Sequence, residues 1–442
     1  MSSFILRSSF LLISIYLIIV INNLWVIQAH VAPSSTFKLV NQGEFGDYTP
    51  IVEYHGNYRA LDVFTLPFQL CFYNTTPNAY TLALRIGLVM SESLFRWVWE
   101  ANRGNPVREN ATLTFGTDGN LVLANSDGRI AWQTNTSNKG VVGFELLPNG
   151  NMVLHDAKGN FIWQSFDYPT DTILVGQSFR SDGPTKLVSR VSAEVNADGP
   201  YSLVMEPKRV SMYYKSPFSP TPLLYLTMLD MPKSKSTLKQ VTLDCSPQTE
   251  EAFAYDITFT IQTIDGSSGG AWEIARPKYN STLSLLRLGI DGNLKVYTYS
   301  DKVDWGAWEA TFTLFSRDSV YSLSDTECQL PERCGNFGLC EDDQCVACPT
   351  SQGLLGWSKN CQQPKASCGS NYYKLDGVDH FLTKFTKGDG PMTIDACGNK
   401  CTKDCKCLGY FYHQDNSRCW IAYDLKTLTK VSNVKHVGYI KS

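Results

Sequence analysis

Charge is scarce in this sequence: 18% of its 442 residues are Asp, Glu, Lys or Arg, and they nearly cancel to a formal net charge of −3. No long basic run breaks that balance, which argues against a nucleic-acid partner, since such partners need a basic face to displace counterions from phosphate. Histidine is scarcer still. The six residues His30, His55, His155, His380, His413 and His436 are scattered, with no spacing that suggests metal ligation or partnership with a nucleophile. There is no Gly-x-Ser-x-Gly elbow and no phosphate-cradling glycine loop. Carboxylate pairs such as Asp342-Asp343 and Glu250-Glu251 sit in polar, turn-like stretches and read as solvated charge. The chain is therefore read as a non-enzyme, with no catalytic residue, no cofactor and no metal. Beyond the N-terminus no segment is long and apolar enough to cross a bilayer, so no membrane span is expected in the mature protein.

Cysteine is nearly missing from the first three-quarters of the chain. Only Cys71 and Cys245 precede residue 328, whereas twelve cysteines crowd between Cys328 and Cys419. The first part must hold itself together by packing and the tail by disulfides, which places a boundary near 310–327. Cys345-x2-Cys348 and Cys401-x3-Cys405 look superficially like zinc spacings, but in an exported, cysteine-dense chain they read as disulfide partners.

What is present supports export and a packed core. Aromatic residues reach 12%, enough apolar area to argue against disorder over most of the chain. Arg7, an apolar run from Phe10 to Val20 and the small residue Ala29 have the layout of a signal peptide over 1–29. The competing reading, a membrane anchor over Phe10 to Ile27, is interrupted by Asn22 and Asn23. Four acceptor triplets for N-linked sugar begin at Asn74, Asn110, Asn135 and Asn280. With fourteen cysteines, an even number, they point to a secreted, extracellular glycoprotein.

An internal repeat organises the first part. Gly119-Asn120-Leu121-Val122-Leu123 recurs as Gly150-Asn151-Met152-Val153-Leu154, and Trp132-Gln133 recurs as Trp163-Gln164, both 31 residues on. In each copy the Asn precedes the Trp by 12 residues, and Asn293 precedes Trp305 by the same 12 in a third copy, Asp291-Gly292-Asn293-Leu294-Lys295-Val296-Tyr297. The pattern predicts two short strands around a turn, with Leu121 and Leu123 on one face and Asn120 and Val122 on the other. One such hairpin cannot bury its apolar face, so three sheets with threefold pseudosymmetry are expected to close around the tryptophans.

At these residues the chain resembles the bulb-type (snowdrop-like) lectin domain as it occurs in the plant S-locus glycoprotein family. The matching stretches are Val98-Trp99-Glu100-Ala101-Asn102-Arg103-Gly104-Asn105-Pro106-Val107 and Trp163-Gln164-Ser165-Phe166-Asp167-Tyr168-Pro169-Thr170-Asp171-Thr172. The opening, from Thr36-Phe37-Lys38-Leu39-Val40 to Gly46-Asp47-Tyr48, is most similar to the epidermis-specific secreted glycoprotein type, which lacks a receptor kinase. The resemblance implies a mainly β chain: a bulb-type lectin domain over 37–165 and a second lectin-like domain over 166–310, both β-prisms. An epidermal-growth-factor-like (EGF-like) module over 328–361 and a PAN (apple) domain over 368–442 follow. It further implies disulfides Cys397 to Cys419, Cys401 to Cys407, Cys328 to Cys340 and Cys334 to Cys345, with Cys348 and Cys361 also bonded. Cys368 and Cys405 are left without an assigned partner. Cys71 and Cys245, alone outside the tail, are expected to join the two lectin-like domains.

Active bulb lectins hold mannose on a strand of the form Gln-x-Asp-x-Asn-x-Val-x-Tyr, whose period of two aims five side chains at one sugar. The corresponding positions here are Gly116, Asp118, Asn120, Val122 and Ala124, so both ends are lost. The second copy reads Leu147, Asn149, Asn151, Val153 and His155, and the third Gly289, Asp291, Asn293, Lys295 and Tyr297. Each missing hydrogen bond forfeits about 0.5–1.5 kcal/mol, so losing two weakens binding roughly tenfold or more. Asp118, Asn120 and Val122 are the candidate carbohydrate-binding residues, set against the plainer reading that Asp118-Gly119-Asn120 is a turn opening a strand. Two roles follow. One is a lectin-like protein of the apoplast and cell wall whose partners are glycans or glycoproteins. The other is a structural or protein-interaction glycoprotein of the epidermal wall, working through the apple domain.

Overall fold

The structure is a computed structural model that describes residues 30–46, 53–88, 94–231, 236–247, 255–277, 282–303, 306–317 and 326–442. The expected signal peptide, 1–29, lies outside the described residues, as do Asp47, Tyr48, Glu250, Glu251, Asn280 and Trp305. The chain is mainly β. Among the described residues the α-helices are Phe381–Phe385 and Ile394–Lys403, and no helix is long and apolar enough to cross a membrane. Two compact units divide the chain by contacts. One holds the described residues up to Gln42 with Val107–Leu147 and Asn151–Gln164; the other holds Gly43–Pro106, Pro148–Gly150 and Ser165–Ser442. The segment 37–165, expected as one module, is thus shared between both.

The first unit contains a four-stranded sheet, in spatial order Phe37–Val40, Thr112–Phe115, Leu121–Ala124 and Ile130–Gln133. Its second sheet has three strands, Gly143–Leu146, Met152–His155 and Phe161–Gln164, with Met152–His155 in the middle. The repeat's alternation appears as side-chain burial: Leu121 and Leu123 are buried while Val122 and Ala124 are half-buried. Register sets Leu123 opposite Trp132 and Leu154 opposite Trp163, and the two indole rings meet edge to face at 5.8 Å. Phe115 lies 5.7 Å from Phe37 and 6.1 Å from Phe144, adding a second aromatic contact. Gly119 has φ 79°, and a Cβ there would meet Val141 at 2.7 Å, so the tight turn before Leu121 admits only glycine.

The second unit carries three four-stranded sheets over residues 172–313, built by nesting. The short strand Thr172–Leu174 pairs with Ser284–Leu288, and Ser178–Arg180 pairs with Leu238–Pro247. Inside them, Lys186–Arg190 begins a meander ending at Leu223–Asp230. The same nesting governs the first unit, where Phe37–Val40 pairs with Thr112–Phe115 across a long intervening segment. The apolar faces of the three sheets share one core, which includes Phe179, Tyr201, Leu226, Phe259, Leu286 and Phe312.

Register seats an aromatic ring in the third repeat as well. Leu123 and Leu154 face Trp132 and Trp163, and the equivalent Val296 faces Phe312, which is 5% exposed. The hairpin from Leu294–Tyr299 to Trp308–Thr313 has a longer connection, so the ring opposite Val296 comes 19 residues after Asn293 (312 − 293) rather than 12. Trp305, the residue expected to fill that place, lies outside the described residues.

The sheet formed by Asn57–Thr65, Phe68–Asn74, Thr81–Ile86 and Arg96–Glu100 also belongs to the second unit, and buried ions show why. Arg103 donates to Glu100 Oε2 at 2.6 Å, to Asp171 Oδ2 at 2.8 Å and to the Val188 carbonyl at 2.9 Å. Arg190, fully buried, donates to Tyr73 Oη at 2.6 Å, and Tyr73 donates to Glu100. Arg287 pairs with Glu53 and donates to Thr172 Oγ1 at 3.0 Å. Trp99 Nε1 donates to the Tyr168 carbonyl at 3.0 Å. The two signature stretches named above therefore meet here, Trp99, Glu100 and Arg103 from one and Tyr168, Asp171 and Thr172 from the other. Burial raises the Asp171 carboxyl, but Arg103 and Arg287 outweigh it and hold the group below the usual carboxylate range.

The tail carries six disulfides: Cys328–Cys340, Cys334–Cys345, Cys348–Cys361, Cys368–Cys405, Cys397–Cys419 and Cys401–Cys407. Its two parts share a sheet. Phe337–Glu341 pairs in parallel with Lys426–Lys430, which lies between it and Val378–His380 in a five-stranded array. Residues 328–361 are thereby welded to 368–442. A second sheet, Tyr372–Asp376, His436–Lys441, Gly409–His413 and Arg418–Ala422, packs the helix Ile394–Lys403 through Cys397 and Cys401. Phe381 inserts into the core of the neighbouring lectin-like sheets, and Gln329 Nε2 donates to the Tyr225 and Phe381 carbonyls, both at 2.9 Å.

The expected Cys71–Cys245 bridge does not form; both residues remain thiols. Cys71 sits mid-strand in Phe68–Asn74, fully buried among Tyr58, Tyr73, Ala83, Phe95 and Trp97, and Cys245 lies on Leu238–Pro247 of a different sheet. Burial pushes the Cys71 thiol up to about 11, so it stays protonated and inert.

Candidate functional site

The strand Leu121–Ala124 and the turn before it place the three sequence-predicted sugar contacts. Asn120 is 7% exposed and its amide is engaged on both ends. Its Nδ2 donates to Gln133 Oε1 at 2.9 Å, and its Oδ1 accepts from Thr134 Oγ1 at 3.0 Å and from the Thr136 N–H at 3.1 Å. Asp118 Oδ1 accepts from the Asn120 N–H at 3.2 Å, and its Oδ2 accepts from Ser137 Oγ at 2.6 Å. These bonds clamp the turn to the strand after Trp132. Val122 points to the opposite face from the leucines, in a row with Lys38, Thr114 and Gln133 on neighbouring strands. The outward surface therefore offers an aliphatic patch at Val122 flanked by polar groups, with the Asp118 carboxylate at its end.

The lost ends have a structural side. A Cβ at Gly116 would meet Asp118 Oδ1 at 2.8 Å, so the carboxylate leans over the position that carries Gln in active lectins. The other copies use their asparagines in the same internal way. Asn151 Nδ2 donates to Gln164 Oε1 at 2.8 Å, and Asn293 exchanges two hydrogen bonds with the Phe315 backbone at 3.0 and 3.1 Å. In the third copy Lys295 lies 3.6 Å from Asp291, and the Arg96 guanidinium stacks over Tyr297 at 4.0 Å. A conserved geometry thus explains why the Asn recurs with no sugar in view: it closes each hairpin.

Of the acceptor asparagines, Asn110, in a turn, and Asn135, just after the strand Ile130–Gln133, are exposed, with φ 61° and 56°. Asn74, at the end of Phe68–Asn74, is 6% exposed and so less open to a glycan than Asn110 or Asn135.

One constellation escaped the sequence. Asp379, His413 and His436 converge, with one ligand-type atom from each lying within 4.8 Å of the others. Separations of 34 and 23 residues (413 − 379, 436 − 413) carry no motif; only the pairing of Gly409–His413 with His436–Lys441, which sets His413 directly opposite His436, brings them together.

Residues 96–194 match the family described as D-mannose binding lectin. The chain is 49% identical over 423 residues to EP1-like glycoprotein 4 of Arabidopsis thaliana, covering 94% of this chain and 93% of that one. It is 56% identical over 363 residues to the epidermis-specific secreted glycoprotein EP1 of Daucus carota, covering 78% of this chain and 92% of the relative. A more distant likeness, 26% over 342 residues with 71% and 72% covered, links it to the S-locus-specific glycoprotein BS29-2 of Brassica oleracea var. alboglabra.

Proposed function

The chain belongs to the EP1-like family of lectin-domain glycoproteins, and from that premise we propose that it is a secreted, non-catalytic glycoprotein of the apoplast and cell wall that binds mannose-type glycans weakly. The observation that carries the sugar reading is the outward face of Leu121–Ala124, inside the D-mannose lectin match, where Val122 is flanked by Thr114 and Gln133 with Asp118 at the end. An aliphatic surface for the pyranose ring beside polar groups for its hydroxyls is the chemistry such a ligand needs. Weakness follows from Gly116 and Ala124, which supply no polar atoms, and from Asn120, whose oxygen is already doubly engaged. Secretion is supported by the six tail disulfides and by exposed Asn110 and Asn135.

The test is binding of the intact glycoprotein to an array of high-mannose N-glycans, with saturation-transfer NMR against methyl α-mannoside. Val122→Glu is the variant of choice because Val122 faces outward and supports no hydrogen bond, so it leaves the clamp around Asn120 intact. The reading requires a mannose signal that Val122→Glu reduces roughly tenfold. No mannose signal in the unaltered protein, or one indifferent to Val122→Glu, refutes it and leaves the non-sugar-binding wall glycoprotein in its place.

A further inference from the structure

Three strands of the tail aim a carboxylate and two imidazoles at one point, and we infer that Asp379, His413 and His436 form a binding site for a borderline divalent metal ion such as Zn²⁺ or Cu²⁺. His413 Nε2 lies 2.8 Å from Asp379 Oδ1, and His436 Nδ1 lies 2.9 Å from Asp379 Oδ2. In the metal-free chain each imidazole N–H donates to the shared carboxylate. A metal replaces those two protons and is met by two nitrogens and an oxygen, the donor set of three-ligand zinc sites with an open fourth position. Calcium and magnesium, which take all-oxygen shells, do not match it.

Placement favours the site further. His413 and His436 are cross-strand partners, so the backbone fixes their separation, and the rings stack 3.5 Å apart at 8°. Both lone pairs converge on one ion once the rings splay about χ2, a broad and soft torsion. Asp379 comes from Val378–His380 in the adjoining sheet, so two sheets brace the donors. An outer carboxylate is already in position: Asp415 Oδ2 lies 3.7 Å from His436 Nε2, the nitrogen that carries the proton when Nδ1 binds metal. Such a carboxylate–histidine–metal arrangement orients the ring and raises its basicity. The three donors open onto a cavity of about 390 Å³, also lined by Thr383, Lys384 and Thr429, which leaves space for a fourth ligand.

The experiment is calorimetric titration of the secreted full chain with Zn²⁺, with Cu²⁺ electron paramagnetic resonance as a second readout. One equivalent should bind, and the Cu²⁺ spectrum should show coupling to two imidazole nitrogens. His413→Gln with His436→Gln should weaken Zn²⁺ binding at least 100-fold, while Asp379→Asn and Asp415→Asn each weaken it about 10–100-fold. His155→Gln, in the other unit, should change nothing. Asp379→Asn preserves side-chain shape, so it carries the test if the double variant fails to fold. Absence of a one-to-one Zn²⁺ site, affinity unchanged in Asp379→Asn, or a Cu²⁺ spectrum without imidazole coupling overturns the inference.

Discussion

The lectin-like sheets and the tail solve the same problem with different materials. Among the described residues of 172–313 no disulfide is present; the three sheets are held by one continuous apolar core, sealed against the 57–100 sheet by buried arginines. Across 328–442 the apolar clusters are smaller, and in one of them Cys397, Cys401, Cys407 and Cys419 pack with Tyr410, Tyr412 and Val437. Sulfur bridges there are part of the packing as well as cross-links. A long sheet segment buries enough area to fold on hydrophobic burial alone, while modules of a few dozen residues need covalent constraint. Such a chain has two stabilities, one sensitive to redox conditions and one not.

Reduction should break the comparison most sharply. Under dithiothreitol the tail is expected to lose its structure, each native bridge contributing about 2–5 kcal/mol, while the sheets of 172–313 persist. Hydrogen exchange resolved by peptide would check this; equal loss of protection in both regions would contradict it. Next comes Arg103→Met, which leaves Glu100 and Asp171 buried without their partner and should cost about 3–5 kcal/mol in chemical denaturation, with no change in the reduced-tail transition. Phe312→Ala tests the ring seated opposite Val296 in the third repeat, with an expected loss of about 3–5 kcal/mol from a buried ring.

A smaller effect separates architecture from sugar recognition. Asn120→Ala removes the acceptor of the Thr136 N–H and should destabilise the first unit by about 1–3 kcal/mol whether or not mannose is present. A shift in thermal midpoint without ligand is the measurement. The smallest effect concerns pH. Asp424 is buried, with Oδ1 lacking a hydrogen-bond partner, and burial raises its carboxyl above the ordinary range despite Lys426 nearby. A carboxyl whose folded pKa is raised holds its proton after the unfolded chain has released it. Its contribution to stability is therefore fully present below the unfolded carboxyl range and is lost as pH rises through the folded value. Asp424→Asn should flatten that decline in urea midpoints taken between pH 4 and 7.

Much of this was legible from residues alone. Alternation around Leu121 and Leu123, the 31-residue repeat and the crowding of cysteine after Cys328 foretold a mainly β chain with a sulfur-rich tail, because those signals are local. What stayed hidden depends on register and on distant partners. Asn120 serves as a hairpin clamp only because Gln133 and Thr136 come round to meet it, and Phe312 stands opposite Val296 only through the register of its hairpin. The Asp379, His413 and His436 group arises from a cross-strand pairing that no spacing reveals, and the burial of Asn74 from packing that an acceptor triplet cannot encode.

The parallel pairing in the tail also sets a timetable for biosynthesis. Phe337–Glu341 is synthesised with one edge unpaired, and the strand that covers it, Lys426–Lys430, follows 85 residues later (426 − 341). At about 5–20 residues per second the open edge waits roughly 4–17 s for its neighbour. During that interval the half-built sheet presents an open row of backbone donors and acceptors to any strand that meets it.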